Sequence, residues 1–93
     1  MASITLVSKP RRHSQVRYTR VPEGALVVLH EQGELKTLNP VGALILDLAD
    51  GTRTVGEIVA RVAQEYSVAP AEAEADAFAF LEELCRSGVI DAG

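Results

Sequence analysis

Cysteine is nearly absent from this chain, and acidic residues are missing from its first twenty positions. The single Cys85 excludes an internal disulfide. No apolar run approaches the ~18 residues of a transmembrane span, so no membrane-spanning helix and no membrane association are expected. The start Met1-Ala2-Ser3-Ile4-Thr5-Leu6-Val7 lacks both the basic leader and the long hydrophobic segment of a secretory signal. Together these absences favour a cytoplasmic protein. Chemistry-bearing motifs are also scarce. There is no Gly-rich phosphate loop, no paired-cysteine metal spacing, and no Ser or Cys nucleophile in a recognisable setting. His13 and His30 have no ligand cluster near them in sequence, and zinc needs about three or four ligands. The expectation is a protein that is not an enzyme and holds no metal or cofactor.

What is present is a compact, globular composition. Ninety-three residues with 47% apolar content make one domain with a modest core, too small for a deep cleft plus its scaffold. Charge is split along the chain. Residues 1–20 hold Lys9, Arg11, Arg12, Arg17 and Arg20 and no acid, whereas the remainder holds four bases against thirteen acids. Residues 1–14 read as a flexible basic N-terminal arm, and residues 15–91 as the folded domain.

The organising stretch is Leu38-Asn39-Pro40. Before it the pattern is strand and turn; after it the pattern is helix. Val16–Val21 alternates apolar and polar positions, a half-buried first strand. Pro22-Glu23-Gly24 is a turn. Ala25–His30 is apolar on both faces, as a central strand would be. Glu31-Gln32-Gly33 is the next turn, and Glu34–Leu38 is a more polar strand with one exposed edge. The result is a three-stranded antiparallel meander.

Asn39 can accept from a free amide at a helix start, and Pro40 suits the first helical position. Val41, Leu44, Ile45 and Leu48 then form one apolar stripe, closed by Asp50-Gly51-Thr52. Asp47 reads as solvent-facing. Thr54-Val55-Gly56-Glu57 matches a capping box that opens a second helix to about Tyr66. Pro70 opens a third, which runs to about Ser87 and stops at Gly88. Val89 and Ile90 fold back onto the core. That core is expected to draw on Val27, Leu29, Leu44, Ile45, Leu48, Ile58, Val62, Leu81 and Leu84.

The third helix is the most informative for function. At ~100° per residue, Ala73, Phe80, Leu84, Ala77, Leu81, Cys85 and Phe78 share a face roughly 160° wide. A single core contact needs only ~100°. Either both rings are core, or one margin of the stripe faces a groove that a partner fills. Periodicity leaves both readings open.

The order Leu38-Asn39-Pro40, Asp50-Gly51-Thr52-Arg53-Thr54-Val55-Gly56-Glu57-Ile58, Glu74-Ala75-Asp76, Phe80-Leu81-Glu82-Glu83-Leu84 and Gly88-Val89-Ile90 resembles the PqqD family. Its members are small chaperones of pyrroloquinoline quinone biosynthesis. Similar domains recognise precursors of ribosomally made, modified peptides (RiPPs). The resemblance covers roughly residues 10–91. It implies an α+β, winged helix-turn-helix-like domain, a three-stranded antiparallel sheet followed by three helices. It also implies that the leader segment of a precursor peptide adds as a strand along Glu34, Leu35, Lys36, Thr37 and Leu38. Beside that edge the third helix would contribute Ala73, Asp76, Ala77, Phe80, Glu83 and Leu84. The implied second partner is a modifying enzyme, a radical S-adenosylmethionine enzyme, cyclase or peptidase.

Two other classes remain. A winged-helix protein can bind DNA, but the third helix sets Glu72, Glu74, Asp76, Glu82 and Glu83 against Arg86, which repels phosphate, so no nucleic acid is expected. A structural module would instead use the wide helical stripe to form a homodimer.

Overall fold

A computed structural model of the chain describes residues 4–14, 16–29 and 34–91, with the backbone alone at residues 29 and 34. Its elements run β1 (Arg11–Arg12), β2 (Arg17–Val21), β3 (Gly24–Leu29), β4 (Glu34–Leu38), α1 (Pro40–Leu48), α2 (Val55–Tyr66), α3 (Pro70–Arg86) and β5 (Ile90–Asp91). The sheet β2-β3-β4 is antiparallel with β3 in the middle, and β1 pairs with β5 as a separate two-stranded ribbon. A three-stranded meander followed by three helices is therefore the observed fold. The expected turn Glu31-Gln32-Gly33 and His30 lie outside the described residues.

Local signals account for the helix ends. The Asn39 side chain accepts from the Gly42 amide at 2.8 Å, with Pro40 in the first turn. The Thr54 hydroxyl accepts from the Glu57 amide at 3.1 Å, and Glu57 accepts from the Thr54 amide at 2.8 Å. Both arrangements satisfy donors that a helix start leaves unpaired.

The core lies between one face of the sheet and the helices. Val27, Ile45, Leu46, Val55, Ile58, Leu81, Leu84 and Val89 are fully buried there, and Leu48, Val62 and Ile90 nearly so. Leu44, expected in the core, is only half-buried. The Leu29 side chain lies outside the described residues. The central strand was expected to be covered on both faces, but Val28 is 38% exposed. Among the described residues the helices pack on one side of the sheet, and Arg17, Thr19, Val28, Leu35 and Thr37 are exposed on the other.

The largest departure is the N-terminal segment. It was expected as a flexible arm over residues 1–14, but its described residues 4–14 are bonded to the connection between α1 and α2 and to the start of α2. The Gly51 amide donates to the Pro10 carbonyl at 2.9 Å, and the Val55 and Gly56 amides donate to Ser8 and Leu6 carbonyls at 2.8 and 3.0 Å. Arg12 donates through its backbone to the Ala49 carbonyl at 2.9 Å. Its guanidinium reaches the Leu46 and Asp47 carbonyls at 2.6 and 3.0 Å. α1 has no basic residue in its own last turn, so Arg12 supplies the cation that its C-terminal dipole favours. The same guanidinium lies 5.5 Å from the centre of the Tyr18 ring. Asp47, expected to face solvent, accepts from the Tyr18 hydroxyl at 2.6 Å and pairs with Arg20. Burial, then the Asp47 hydrogen bond, raise the Tyr18 phenol above its ordinary value.

Candidate functional site

The direction of each backbone group in β4 follows from the hairpin before it. Pro22 and Glu23 alone separate β2 from β3, and Val21 pairs with Gly24 across them. In a two-residue hairpin that flanking pair exchanges both of its hydrogen bonds. Gly24, Leu26 and Val28 therefore turn their backbone groups toward β2. Ala25, Val27 and Leu29 turn theirs toward β4, where their partners are Leu38, Lys36 and Glu34. Leu35 and Thr37 are left with N–H and C=O pointing away from the sheet.

Gly24 supports this assignment independently. A Cβ built there would stand 1.8 Å from the Leu38 carbonyl oxygen, so that carbonyl faces into β3. The backbone at Gly24, with φ of +142°, suits glycine for the same reason that the strands can approach so closely. Among the described residues, no strand pairs with the outer edge of β4. An open edge of this kind is a template for an incoming strand.

Side chains divide the edge into two faces. Leu38 and Lys36 point to the helix side, Leu38 buried in the core and Lys36 reaching α3. The Lys36 ammonium donates to Glu83 Oε1 at 2.7 Å and so ties β4 to the helix beside it. That hydrogen bond, and then the ammonium's charge, hold the Glu83 carboxyl below its ordinary value. The tie is present above the usual carboxylate range and is lost as pH falls through the lowered value. Leu35 and Thr37 project from the opposite, outer face, both exposed. Of Glu34, only the backbone position at the start of β4 is described.

α3 separates into buried and open faces. Ala73, Ala77 and Leu84, expected along the groove, are buried with Leu81 in the core and present no surface to a partner. Asp76 and Glu83 are exposed and Phe80 is half-buried between them. These three follow at i, i+4 and i+7, one line along the helix. The accessible part of the candidate site is thus the outward backbone of Leu35 and Thr37, the Lys36–Glu83 pair, Asp76 and Phe80.

Sequence reasoning missed Gly42. A Cβ at that position would lie 2.9 Å from Phe80 Cζ and 3.1 Å from Cε1. The ring therefore sits on the first turn of α1, in space that the missing side chain leaves. The available signal was a glycine inside a helical stripe, where alanine would favour the helix. The arrangement offers backbone pairing, an aromatic surface and acidic groups: it can hold an extended peptide. Among the described residues no three His, Cys, Asp or Glu side chains gather as a metal site would require, and no helix is long and apolar enough to cross a membrane.

Comparison with known proteins was made against this geometry. The family profile for coenzyme PQQ synthesis protein D, PqqD, matches residues 25–90. The chain belongs to the PqqD family. It is 39% identical over 83 residues to the PqqA binding protein of Stutzerimonas stutzeri (strain A1501), spanning 88% of each chain. The PqqD portion of Methylobacterium extorquens PqqCD, a stand-alone RiPP recognition element, superposes with a TM-score of 0.79 at 25% identity, covering 96% of this chain and 95% of that one. TbiB1 in complex with the TbiA(beta) leader peptide shares the fold, with a TM-score of 0.79 at 23% identity over 89% of this chain and 96% of that one. A lasso peptide synthetase B1 bound to its leader peptide does so with a TM-score of 0.78 at 22% identity, covering 89% and 98%.

Proposed function

We propose that this chain binds the leader region of a ribosomally synthesised precursor peptide by adding it as a strand to β4, and presents it to a modifying enzyme. The observation that carries this reading is the open edge at Leu35 and Thr37, tied to α3 through the Lys36–Glu83 pair, with Phe80 and Asp76 on the same line of that helix. Backbone pairing supplies affinity without sequence choice, and the α3 side chains supply the choice. Membership of the PqqD family supports the reading, as does the relative named for binding PqqA. The role is one of recognition in the cytoplasm, without catalysis by this chain. The reaction belongs to the partner, a radical S-adenosylmethionine enzyme, cyclase or peptidase.

The test is titration of isotope-labelled protein with synthetic PqqA, taken as the precursor peptide because the 39%-identical relative is named for binding it. Amide shifts are expected to concentrate in residues 34–38 and 73–84. Phe80→Ala and Asp76→Lys are expected to weaken binding by about tenfold each, on the order of 1.4 kcal/mol, with the fold retained. Absence of binding, or shifts confined to the basic N-terminal segment or to α2, would overturn the proposal.

A further inference from the structure

β4 turns one apolar side chain to the outer face of the sheet and its lysine toward the helices. Leu35 is 64% exposed on the outer face of the sheet, whereas Lys36 turns toward α3. An exposed leucine in an open edge strand is a liability, and a lysine placed outward would relieve it. Leu35 is also continuous with a second exposed apolar side chain. It stands directly across from Val28, in a pair whose backbone groups face away from each other, the arrangement that brings side chains closest. Arg17 completes that row on β2, and Thr19, Leu26 and Thr37 form the next.

Resting on the leader-binding reading, we infer that this outer row is the second half of the recognition surface. The peptide that this chain takes is an extended segment with apolar side chains on both faces. Residues side by side on neighbouring strands share a face, and successive residues alternate. A strand added to β4 therefore directs the residue opposite Lys36 toward α3 and Phe80. The residue opposite Leu35 falls on the outer face, extends the row Arg17–Val28–Leu35 and covers the leucine. An apolar residue at that leader position, adjacent in sequence to the groove-directed one, completes both faces. This holds for either direction of the added strand.

The experiment is calorimetric titration of the full chain with synthetic PqqA. Leu35→Lys is expected to raise Kd at least tenfold with an unchanged thermal midpoint, since the side chain is exposed. Against that variant, PqqA peptides with glutamate substituted at one position at a time are then titrated. A single position is expected to restore affinity, and the rescue should weaken at high salt. For Thr37→Lys the rescuing position is expected two residues away, and the order of the two gives the strand direction. Binding of PqqA that Leu35→Lys leaves unchanged, or rescue spread over many positions, would overturn this inference alone. Such a result would leave the row to the modifying enzyme or to a second copy. A wild-type chain that does not bind PqqA would overturn the leader reading and this inference with it.

Discussion

Lys36→Pro is expected to unfold the protein at a lower temperature, and Thr37→Pro to leave its stability nearly unchanged while weakening peptide binding. The two residues are neighbours on β4, but their amides point in opposite directions. Lys36 pairs with Val27 inside the sheet, so proline there deletes a ladder donor and leaves a carbonyl of the central strand unsatisfied. The loss should be about 1–3 kcal/mol for that carbonyl. For a chain of this size it should lower the midpoint by roughly 4–8 °C per kcal/mol. The Thr37 amide faces outward, where an edge strand tolerates proline. Its loss removes one of the two outward donors at Leu35 and Thr37, and PqqA affinity should fall about tenfold. Thermal denaturation and calorimetric titration of both variants check this. Equal destabilisation by the two prolines, or unchanged affinity in Thr37→Pro, would contradict the assigned register.

Deleting residues 1–10 is expected to destabilise the fold on the order of 1.5–4.5 kcal/mol, the sum of three hydrogen bonds at roughly 0.5–1.5 each. The Gly51, Val55 and Gly56 amides lose their acceptors at Pro10, Ser8 and Leu6, and the fully buried Pro10 is removed from the core. Two of those amides open α2, where a helix start depends on outside acceptors. A segment that behaved as a free basic arm would change stability by less than ~0.5 kcal/mol. Urea denaturation of the truncated and full chains separates the two outcomes. An unchanged slope would show that the difference is one of stability.

The helix ends were legible because their causes are local. Asn39 with Pro40, and Thr54 with Glu57, act within four residues, and both pairs make the bonds that their spacing implies. Periodicity likewise exposed Ile45, Leu48, Ile58, Val62, Leu81 and Leu84 as core. It could not show which margin of α3 is covered. Ala73, Ala77 and Leu84 share a stripe with Phe80, yet only the packed neighbours decide that the first three are buried and the ring half-open. The N-terminal strap left no local signal either. Its bonds join backbone groups dozens of residues apart, and Arg12 reaches Leu46 and Asp47 through a side chain that could as well have stayed in solvent. Gly42 became meaningful only once the Phe80 ring was seen against it. The outward direction of the Leu35 and Thr37 amides was not legible: the sequence reads Pro22-Glu23-Gly24 as the turn, whereas Gly24 pairs with Val21, and that two-residue turn sets the register of all three strands.

Amide hydrogen exchange, residue by residue, with and without PqqA, tests the central claim most directly. In the free protein Leu35 and Thr37 should exchange rapidly and Lys36 slowly, because only Lys36 donates within the sheet. With PqqA bound, Leu35 and Thr37 should become protected while Lys36 changes little, the alternating signature of a strand added to β4. Protection that appears instead at Tyr18 and Arg20 on the other edge, or at neither edge, would contradict the account.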